Sequence, residues 1–429
     1  MSPSLQDIAS CVAGYDPNAL TVAQAQDFIA RLVPTVATVE RLALRSALGR
    51  VLAHDVVSGL NVPAQDNSAM DGYALRGSDI DATAPTRLIV AGSAMAGQPF
   101  DGLVPPGHCL RIMTGAALPA GLDTVVPQEF TTAADGAIDI PPGRLRPGDN
   151  RRLAGEDLAR GEVALRAGRL LRPADLGLLA SLGLAEVPVR RRLRVAFFST
   201  GNELRSIGEP LAAGYVYDSN RYTLWGMLQR LGVEAIDLGV VRDEPAALEA
   251  AFRAAADAAD AVVSTGGVSV GDADHTRRTM AALGEVLFWQ IAMRPGRPMA
   301  VGRIGGNDRR KPPAILFGLP GNPVAAMVSF YVFVRDALLR MSGATPEPLP
   351  MLRATATASI RKQPGRTEYQ RGILTRAPDG RWQVTLTGAQ GSGMLRSMSL
   401  ANGLVVLPHE RGAVAAGEGV DVMGFEGLV

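Results

Sequence analysis

LRVAFFST, residues 193–200, is an apolar run that ends at Gly201 and predicts a buried strand. RYTLWGMLQRLG, residues 221–232, follows a polar capping cluster and carries its apolar residues at helical spacing. The alternation continues outward, and it predicts strands at 233–241, 261–265, 286–293 and 314–319 and helices at 244–259, 275–283 and 323–341. Strands that alternate with helices at this spacing are typical of a doubly wound, mostly parallel sheet, here within residues 191–343.

The flanking segments have different patterns. Residues 344–429 hold short alternating stretches broken by Gly and Pro, which predict a small antiparallel sandwich or barrel, and we favour the barrel. Residues 61–149 are rich in Gly and Pro with short strand-like pieces, and they predict an inserted β-rich domain. The segments on either side of it, 1–60 and 150–190, are then expected to pack together as one discontinuous, mixed α+β N-terminal domain. The sequence therefore predicts an α/β multidomain protein.

Composition narrows the class of partners. The 429 residues carry 43 basic and 42 acidic side chains, so the net charge of +1 produces no long-range field that attracts nucleic acid or an anionic membrane. No apolar run approaches the ~20 residues of a membrane span, and the N-terminus lacks the pattern of a signal peptide. Two cysteines form no disulfide framework. We expect a soluble cytoplasmic protein without nucleic-acid or membrane partners.

Polar loops follow the predicted strands of the doubly wound region. In such a sheet the ligand lies outside the carboxyl ends of the strands. The loops hold glycines, hydroxyls, carboxylates and arginines, and they are 199–203, 242–244, 264–274, 294–298 and 319–323. The pattern therefore predicts a binding site at one edge of the sheet.

Five carboxylates in these loops are candidate ligands of Mg²⁺: Glu203, Asp218, Asp243, Asp272 and Asp274. Any one of them alone is better explained by helix capping or by a solvated loop. Their convergence at one edge favours the cation site.

Two further features of these loops suit anions. Gly266 and Gly267 leave backbone amides open before a helix, which suits phosphate binding, although a Gly-Gly pair alone is better explained by an ordinary strand-to-helix turn. The run is neither a Walker loop, because Asp272 stands where Lys would be, nor a dinucleotide fingerprint. Arg294 and Arg297 flank a Pro-Gly turn and suit bidentate contacts with an anion, whereas alone they would be an exposed loop pair.

Nine motifs together resemble the molybdopterin molybdenumtransferase family, in order along nearly the whole chain. They are DNSAMDGYA (66–74), GED (155–157), FSTGNEL (198–204), DSNR (218–221), STGGVSVGDAD (264–274), PGRP (295–298), GLPGNPV (318–324), RTEYQRG (366–372) and QGSG (390–393). The resemblance implies a homodimer whose cleft lies between the doubly wound domain of one subunit and the N-terminal segments of the other. It also implies a reaction in which adenylyl-molybdopterin and molybdate bind, Mg²⁺-dependent hydrolysis releases AMP, and molybdenum moves to the dithiolene. The adenylylating enzyme of the same pathway is the expected protein partner.

The resemblance also assigns roles to residues. The implied catalytic acids are Asp66, Asp157, Glu203, Asp243 and Asp274, of which the last three would bind the metal. The implied substrate-binding residues are Thr200, Gly201, Asp218, Ser219, Gly266, Gly267, Ser269, Arg294, Arg297, Pro320, Gly321, Arg371 and Ser392. Two positions depart from the family pattern: Arg297 stands where Lys is usual, which changes reach, and Asn202 stands where an acid is frequent.

Two other functions compete with this interpretation. The adenylylating enzyme resembles residues 191–343 alone, so the flanking parts argue against it. The receptor-anchoring protein gephyrin carries a similar region, but here no long linker or additional domain accompanies that region, so we do not expect scaffolding as the main role. Molybdate and tungstate are tetrahedral dianions of nearly equal size, and the motifs fit either.

Overall fold

The computed structural model describes residues 4–268 and 274–426, and they form two compact units. The first comprises Met1–Glu40, Gly49–Ala53 and Val189–Val429, and the second comprises Arg41–Leu48 and His54–Pro188.

The first two helices begin at capping boxes. Ser4 and Thr21 each accept a bond from the third residue of the helix that follows, which closes a capping box. The helices are α1 (Leu5–Cys11), α2 (Val22–Leu32), α3 (Pro173–Ser181), α4 (Asn220–Arg230), α5 (Pro245–Ala258), α6 (Asp274–Leu283), α7 (Pro323–Ser329), α8 (Arg335–Met341) and α9 (Leu395–Leu400). A π-helical turn, Phe330–Val334, joins α7 to α8.

The strands are short, and several have only two residues. They are β1 (Val39–Ala43), β2 (Val56–Val57), β3 (Asn67–Ser68), β4 (Gly72–Leu75), β5 (Thr86–Ala94), β6 (His108–Ile112), β7 (Thr124–Pro127), β8 (Thr132–Ala134), β9 (Ala137–Ile140), β10 (Arg151–Arg152), β11 (Val163–Leu165), β12 (Glu186–Arg190), β13 (Arg194–Thr200), β14 (Leu204–Arg205), β15 (Val216–Tyr217), β16 (Glu234–Val241), β17 (Ala261–Thr265), β18 (Gly284–Gln290), β19 (Met293–Arg294), β20 (Pro298–Ile304), β21 (Ala314–Leu319), β22 (Met351–Ala356), β23 (Thr367–Arg376), β24 (Trp382–Leu386), β25 (Gly403–Leu407) and β26 (Gly419–Gly424).

The central sheet of the first unit has the order β16-β13-β17-β21-β20-β18. The first four strands are parallel, β20 runs antiparallel to β21, and β18 runs antiparallel to β20. The predicted doubly wound, mostly parallel sheet is confirmed. Strand β20 was not predicted, because Pro298, Gly302 and Arg303 interrupt the apolar run in PMAVGRI.

Alternate residues of the buried strands point to opposite faces of this sheet. Val195 and Phe197 pack in one core with apolar residues of α4, α7 and α8. Ala196 and Phe198 pack in a second core with apolar residues of α5 and α6. Because both faces are covered, the strands are apolar throughout, and the polar groups of this domain collect at the strand ends.

The N-terminal helices pack in the first of these cores. Phe28 of α2 is fully buried and meets the Trp289 ring edge-on, with ring centroids 5.1 Å apart. Full burial of one such side chain contributes about 1.5–3 kcal/mol. The helices are therefore integral to the first unit.

The C-terminal strands close into a small barrel, as predicted. The order β23-β24-β22-β26-β25 is completed by pairing of β25 with β23. The two-residue strand β19 joins the outside of this sheet through β23. That contact links the barrel to the turn that carries Arg294 and Arg297.

The second unit is built on a six-stranded sheet of order β7-β4-β6-β5-β9-β8. This sheet lies within residues 61–149, while β2 pairs with β11 and β3 with β10. The finer division into 1–60 with 150–190, 61–149, 191–343 and 344–429 stays a prediction.

None of the described helices combines the length and apolar character that a membrane-crossing segment requires.

Candidate functional site

A cavity of about 1040 Å³ lies at the carboxyl ends of the parallel strands in the first unit. We call it the main pocket. Every predicted strand-end loop of this domain contributes to its wall. The predicted site residues among its lining are Thr200, Gly201, Glu203, Asp218, Ser219, Asp243, Gly266, Gly267, Arg294, Arg297, Pro320, Gly321 and Ser392.

Glycines allow the loops of the main pocket to approach one another. Gly266 has a φ of +93°, and a Cβ there would lie 2.5 Å from the carbonyl oxygen of Thr200. A Cβ on Gly321 would lie 3.6 Å from the Cα of Gly266. Asn220 ties the two sides together, since its amide donates to the carbonyl of Gly321 at 2.8 Å. The backbone of the Gly-Gly run therefore forms part of the pocket wall, and its role in phosphate binding stays a prediction.

Asp218 is a buried carboxylate that organises the pocket floor. It accepts a bond from the Ser199 hydroxyl at 2.9 Å and one from the backbone N–H of Arg221 at 3.2 Å, which caps α4. The Thr265 hydroxyl donates in turn to Ser199 at 3.1 Å. The second oxygen of Asp218 is buried without a partner among the described residues. Asp218 is thus both a helix cap and an open acceptor in the pocket.

Asp243 lies in a different electrostatic state. Burial raises the pKa of its carboxyl above the usual value, the charge of Glu203 raises it further, and the Thr200 hydroxyl and His275 lower it. Its Oδ1 is buried and has no partner within the described part of the chain. A buried acceptor without a donor is costly, so this oxygen suits an incoming cation or proton.

Asn202 supports this carboxylate rather than adding a charge. Its side-chain oxygen accepts the backbone N–H of Asp243 at 3.2 Å. At the neighbouring Gly201, a Cβ would lie 2.6 Å from the Glu203 carboxylate. The loop thus brings Glu203 back over Gly201 on the same wall as Asp243.

Glu203 and Asp243 fit part of the ligand set of a divalent cation, because both carry hard oxygen donors and Oδ1 of Asp243 has no partner among the described residues. Across residues 4–268 and 274–426, no three His, Cys, Asp or Glu side chains lie close enough together to hold a metal ion. The third predicted ligand is Asp274, the first residue of α6, whose side chain is outside the described structure, as are Ser269 and Asp272.

The turn between β19 and β20 contributes two basic residues to the lining of the main pocket. Arg294 and Arg297 are both exposed. The turn that carries them closes with a bond from the Ile291 N–H to the Arg297 carbonyl at 2.7 Å. Gly296, at φ +97°, lies so close to α7 that a Cβ would be 2.5 Å from the Ser329 hydroxyl. Close packing against α7 therefore fixes the turn, while Arg294 and Arg297 line the pocket.

Arg371 lies close to Arg294 of this turn. Its side chain is fully buried, and it donates to the Ser397 hydroxyl at 2.9 Å and to the Gly391 carbonyl at 2.9 Å. Burial lowers the pKa of its guanidinium, and nearby Arg294 lowers it further. Its Nη1 has no partner among the described residues, and it lines a second cavity of about 460 Å³ that shares Arg294 with the main pocket.

Arg371 also shapes the loop that bears Ser392. By bonding the carbonyls of residues 389 and 391 it holds the QGSG loop. The carbonyl of Ser392 accepts the N–H of Val324 at the start of α7. The terminal β region therefore contributes Ser392 directly to the main pocket.

Asp66 and Asp157 lie in the second unit. Asp66 accepts the Ala154 N–H at 2.7 Å and forms an ion pair with Arg151. These contacts lower the pKa of its carboxyl, the Ala154 amide more than Arg151. Asp157 is exposed, and its backbone N–H donates to the Val62 carbonyl. Their joining with the acids of the sheet edge stays a prediction.

Several pocket residues were missed from the sequence. Tyr217, Asn220, Arg366 and Gln390 line the main pocket beside the predicted set. All four lie in or next to the family motifs quoted above, and this proximity could have identified them as pocket residues. Asn220 was taken only as part of a capping cluster.

The chain combines a doubly wound domain with an N-terminal region and a terminal barrel. The pocket of the doubly wound domain is lined by both acidic and basic side chains. These features define a class of ligand-binding multidomain enzymes. Residues 20–183 match the family described as MoeA N-terminal region (domain I and II), residues 196–340 match a probable molybdopterin binding domain, and residues 353–425 match the MoeA C-terminal region (domain IV).

Full-length relatives agree with these matches. The chain is 42% identical, over 96% of its length and all of the relative, to the molybdopterin molybdenumtransferase of Haemophilus influenzae. It is 38% identical to molybdopterin molybdenumtransferase 2 of Mycobacterium tuberculosis, over 88% of this chain and 93% of that one. A crystal structure of molybdopterin biosynthesis moeA protein from Pyrococcus horikoshii OT3 superposes with a TM-score of 0.81 at 28% identity, covering 95% of this chain and all of the other. The chain belongs to the molybdopterin molybdenumtransferase family, whose members are transferases of molybdenum cofactor biosynthesis.

Proposed function

We propose that this protein inserts molybdenum from molybdate into adenylyl-molybdopterin and releases AMP. The observation that carries the proposal is the main pocket, where a carboxylate wall and a guanidinium wall face one space between glycine loops. A substrate that combines a pyrophosphate with a separate oxyanion needs this division of charge. The name of the relative with 42% identity supports the choice of substrate.

Each wall has a separate task. The open amides around Gly266, Gly267 and Gly321 hold phosphate oxygens, and Thr200, Gly201, Ser219, Pro320 and, outside the described residues, Ser269 complete this cradle. Arg294, Arg297 and Ser392 bind the oxyanion, and Arg371 acts on it from the adjoining second cavity. Arg297 replaces the usual lysine with a fork that takes two oxygens at once. The sequence has no evident Ser–His–acid or Cys–His grouping, and the described lining of the pocket contains neither Cys nor His, so we propose that the protein acts by positioning.

Glu203, Asp243 and Asp274 would hold Mg²⁺. The bound ion would neutralise developing charge on the phosphate oxygens. The described residues donate no hydrogen bond to Oδ1 of Asp243, so this oxygen is available to a cation. One oxygen of Asp218 accepts the Arg221 N–H in the first turn of α4, and its second oxygen is available to the ligand.

The proposal extends to the assembly. Asp66 and Asp157 would act in a homodimer, where the N-terminal segments of one subunit close the main pocket of the other. The enzyme would work in the cytoplasm and receive its substrate from the adenylylating enzyme of the pathway. Sedimentation of the purified protein tests the dimer, since a monomer at micromolar concentration would contradict it.

The deciding experiment measures AMP released from adenylyl-molybdopterin. We expect release that requires both Mg²⁺ and molybdate, with a tungstate arm to compare the two oxyanions. Consumption of ATP instead would identify an adenylylating enzyme. Undiminished cofactor production in deficient cells by a variant with Asp243→Asn and Asp274→Asn would favour a scaffold.

A further inference from the structure

Arg366 is an arginine of the main pocket that the motif analysis did not single out. It lies directly before β23 and lines the pocket together with Arg294 and Arg297. Its side chain is 37% exposed, so part of it is accessible to a ligand in the pocket.

A buried carboxylate holds this arginine from behind. The Nε of Arg366 donates to Glu368 at 2.8 Å, and the side chain of Glu368 is only 3% exposed. The other oxygen of Glu368 accepts the Gln370 amide at 2.9 Å, and that amide also donates to the Arg361 carbonyl. Both oxygens of Glu368 are thus engaged, and its orientation is set by the barrel.

The backbone ties this pair to the basic turn. The Thr367 N–H donates to the Ala292 carbonyl at 2.9 Å, and Arg294 lies opposite Glu368 in the parallel pairing of β19 with β23. Arg366 therefore directly precedes β23, two residues before Glu368, which pairs with Arg294. Any movement of the barrel would carry Arg366 and the turn together.

The arrangement is asymmetric in a way that points to a ligand. A surface ion pair contributes little and needs no fixed geometry. Here the acid is buried, where an ion costs free energy to desolvate, while the base faces the cavity. Only Nε of Arg366 bonds to the described residues, so both terminal nitrogens remain available for two oxygens of one anion.

We propose that Arg366 is a third guanidinium of the main pocket, that it binds a tetrahedral oxyanion or phosphate group, and that Glu368 is its positioning residue. The proposal rests on the proposed function for its substrate but concerns a residue outside the predicted set. In either case the ligand is a tetrahedral anion that accepts hydrogen bonds from the two terminal nitrogens of Arg366 through two of its oxygens. Free molybdate and the phosphate of the nucleotide are the two sources.

Calorimetric titration of Arg366→Gln and Arg366→Lys with molybdate and, separately, with AMP tests the proposal. We expect Arg366→Gln to weaken one of the two by about 10- to 100-fold, the effect of losing a charge-assisted hydrogen bond, and Arg366→Lys to weaken it less. Loss confined to molybdate assigns the oxyanion, and loss confined to AMP assigns the phosphate. Arg411→Gln is the matched control, because Arg411 pairs with Glu418 on the same barrel outside the pocket. Wild-type affinity for both probes in Arg366→Gln would overturn the proposal.

A double-mutant cycle tests the positioning role. Glu368→Gln should weaken the same probe, and adding it to Arg366→Gln should weaken binding no further. A purely structural glutamate would lower the thermal midpoint and leave the affinity of the folded protein unchanged. These binding measurements stand apart from AMP release: a wild-type protein without AMP release would contradict the proposed function, whereas unchanged anion binding contradicts only the role of Arg366.

Discussion

Asp243 and Asp66 were both predicted as functional acids, and the structure places them in opposite electrostatic states. Asp66, in the second unit, accepts a backbone amide and pairs with Arg151, so the pKa of its carboxyl is lowered. Asp243, at the sheet edge of the first unit, has an oxygen without a partner in the described part of the chain, and burial together with Glu203 raises the pKa of its carboxyl. Asp66 thus has hydrogen-bond partners within its own unit, whereas Oδ1 of Asp243 has none among the described residues.

The difference separates two uses of a carboxylate. A carboxylate whose partners come from its own fold stabilises that fold. A buried carboxylate left open destabilises the empty site, and the stabilisation returns only when a ligand binds. The comparison predicts that substitutions at the two positions will change stability in opposite directions.

The largest effect is expected from Asp243→Asn. Removal of a cation ligand should slow AMP release by about 100-fold or more, since several kcal/mol of charge stabilisation depend on the metal. The same substitution should slightly raise the thermal midpoint without Mg²⁺, because an Asp with a raised pKa opposes folding at neutral pH. Glu249→Gln on the exposed face of α5 is the control for removing one charge. A fully active Asp243→Asn enzyme would contradict the comparison.

A smaller loss is expected from Gly266→Ala. The φ of +93° and the contact with the Thr200 carbonyl should together cost about 1–3 kcal/mol in urea unfolding and reduce AMP release. Gly388→Ala provides a matched control, because Gly388 has a φ of +94° with nothing within 4 Å of the added carbon. Equal losses in the two variants would show that backbone strain, rather than close packing of the loops, sets the effect.

The pH dependence of Mg²⁺ binding should show a change of several fold. A proton competes with the cation for Asp243, and its raised pKa means that affinity falls at a higher pH than for an ordinary carboxyl near about 4. Calorimetric titration with Mg²⁺ from neutral to mildly acidic pH measures this. The fall should disappear in Asp243→Asn, and a fall that persists there would assign the proton to another group.

The smallest effect is expected from Asp66→Asn. Its ion pair is partly exposed, so the free energy of unfolding should drop by no more than about 1 kcal/mol. The lowered pKa gives the sign: this stabilisation is present above the unfolded pKa and is lost as the pH falls through the lower folded value. Urea unfolding at neutral and acidic pH tests both statements. An increase in stability would remove the contrast with Asp243.

Much of the site was predictable because motifs in a doubly wound sheet have a known location. Gly266, Asp243, Arg294 and Gly321 follow different strands, and topology alone brings their loops to one edge. The function of Arg366 was not predictable in this way. Its position depends on the pairing of β23 with β19, a contact between segments far apart in the sequence.

The sequence itself determined the alternation of strands and helices in the doubly wound region, apart from β20, the β-rich class of the terminal region and the family, because apolar periodicity and turn residues act locally and motifs persist in order. The tertiary structure alone decided which acids are satisfied and which are open. Asp66 and Asp243 are the same residue type in similar polar loops, and only the neighbours supplied by distant segments make one a structural anchor and leave the other short of a partner. Electrostatic environment is a property of the folded surroundings, and local sequence does not contain it.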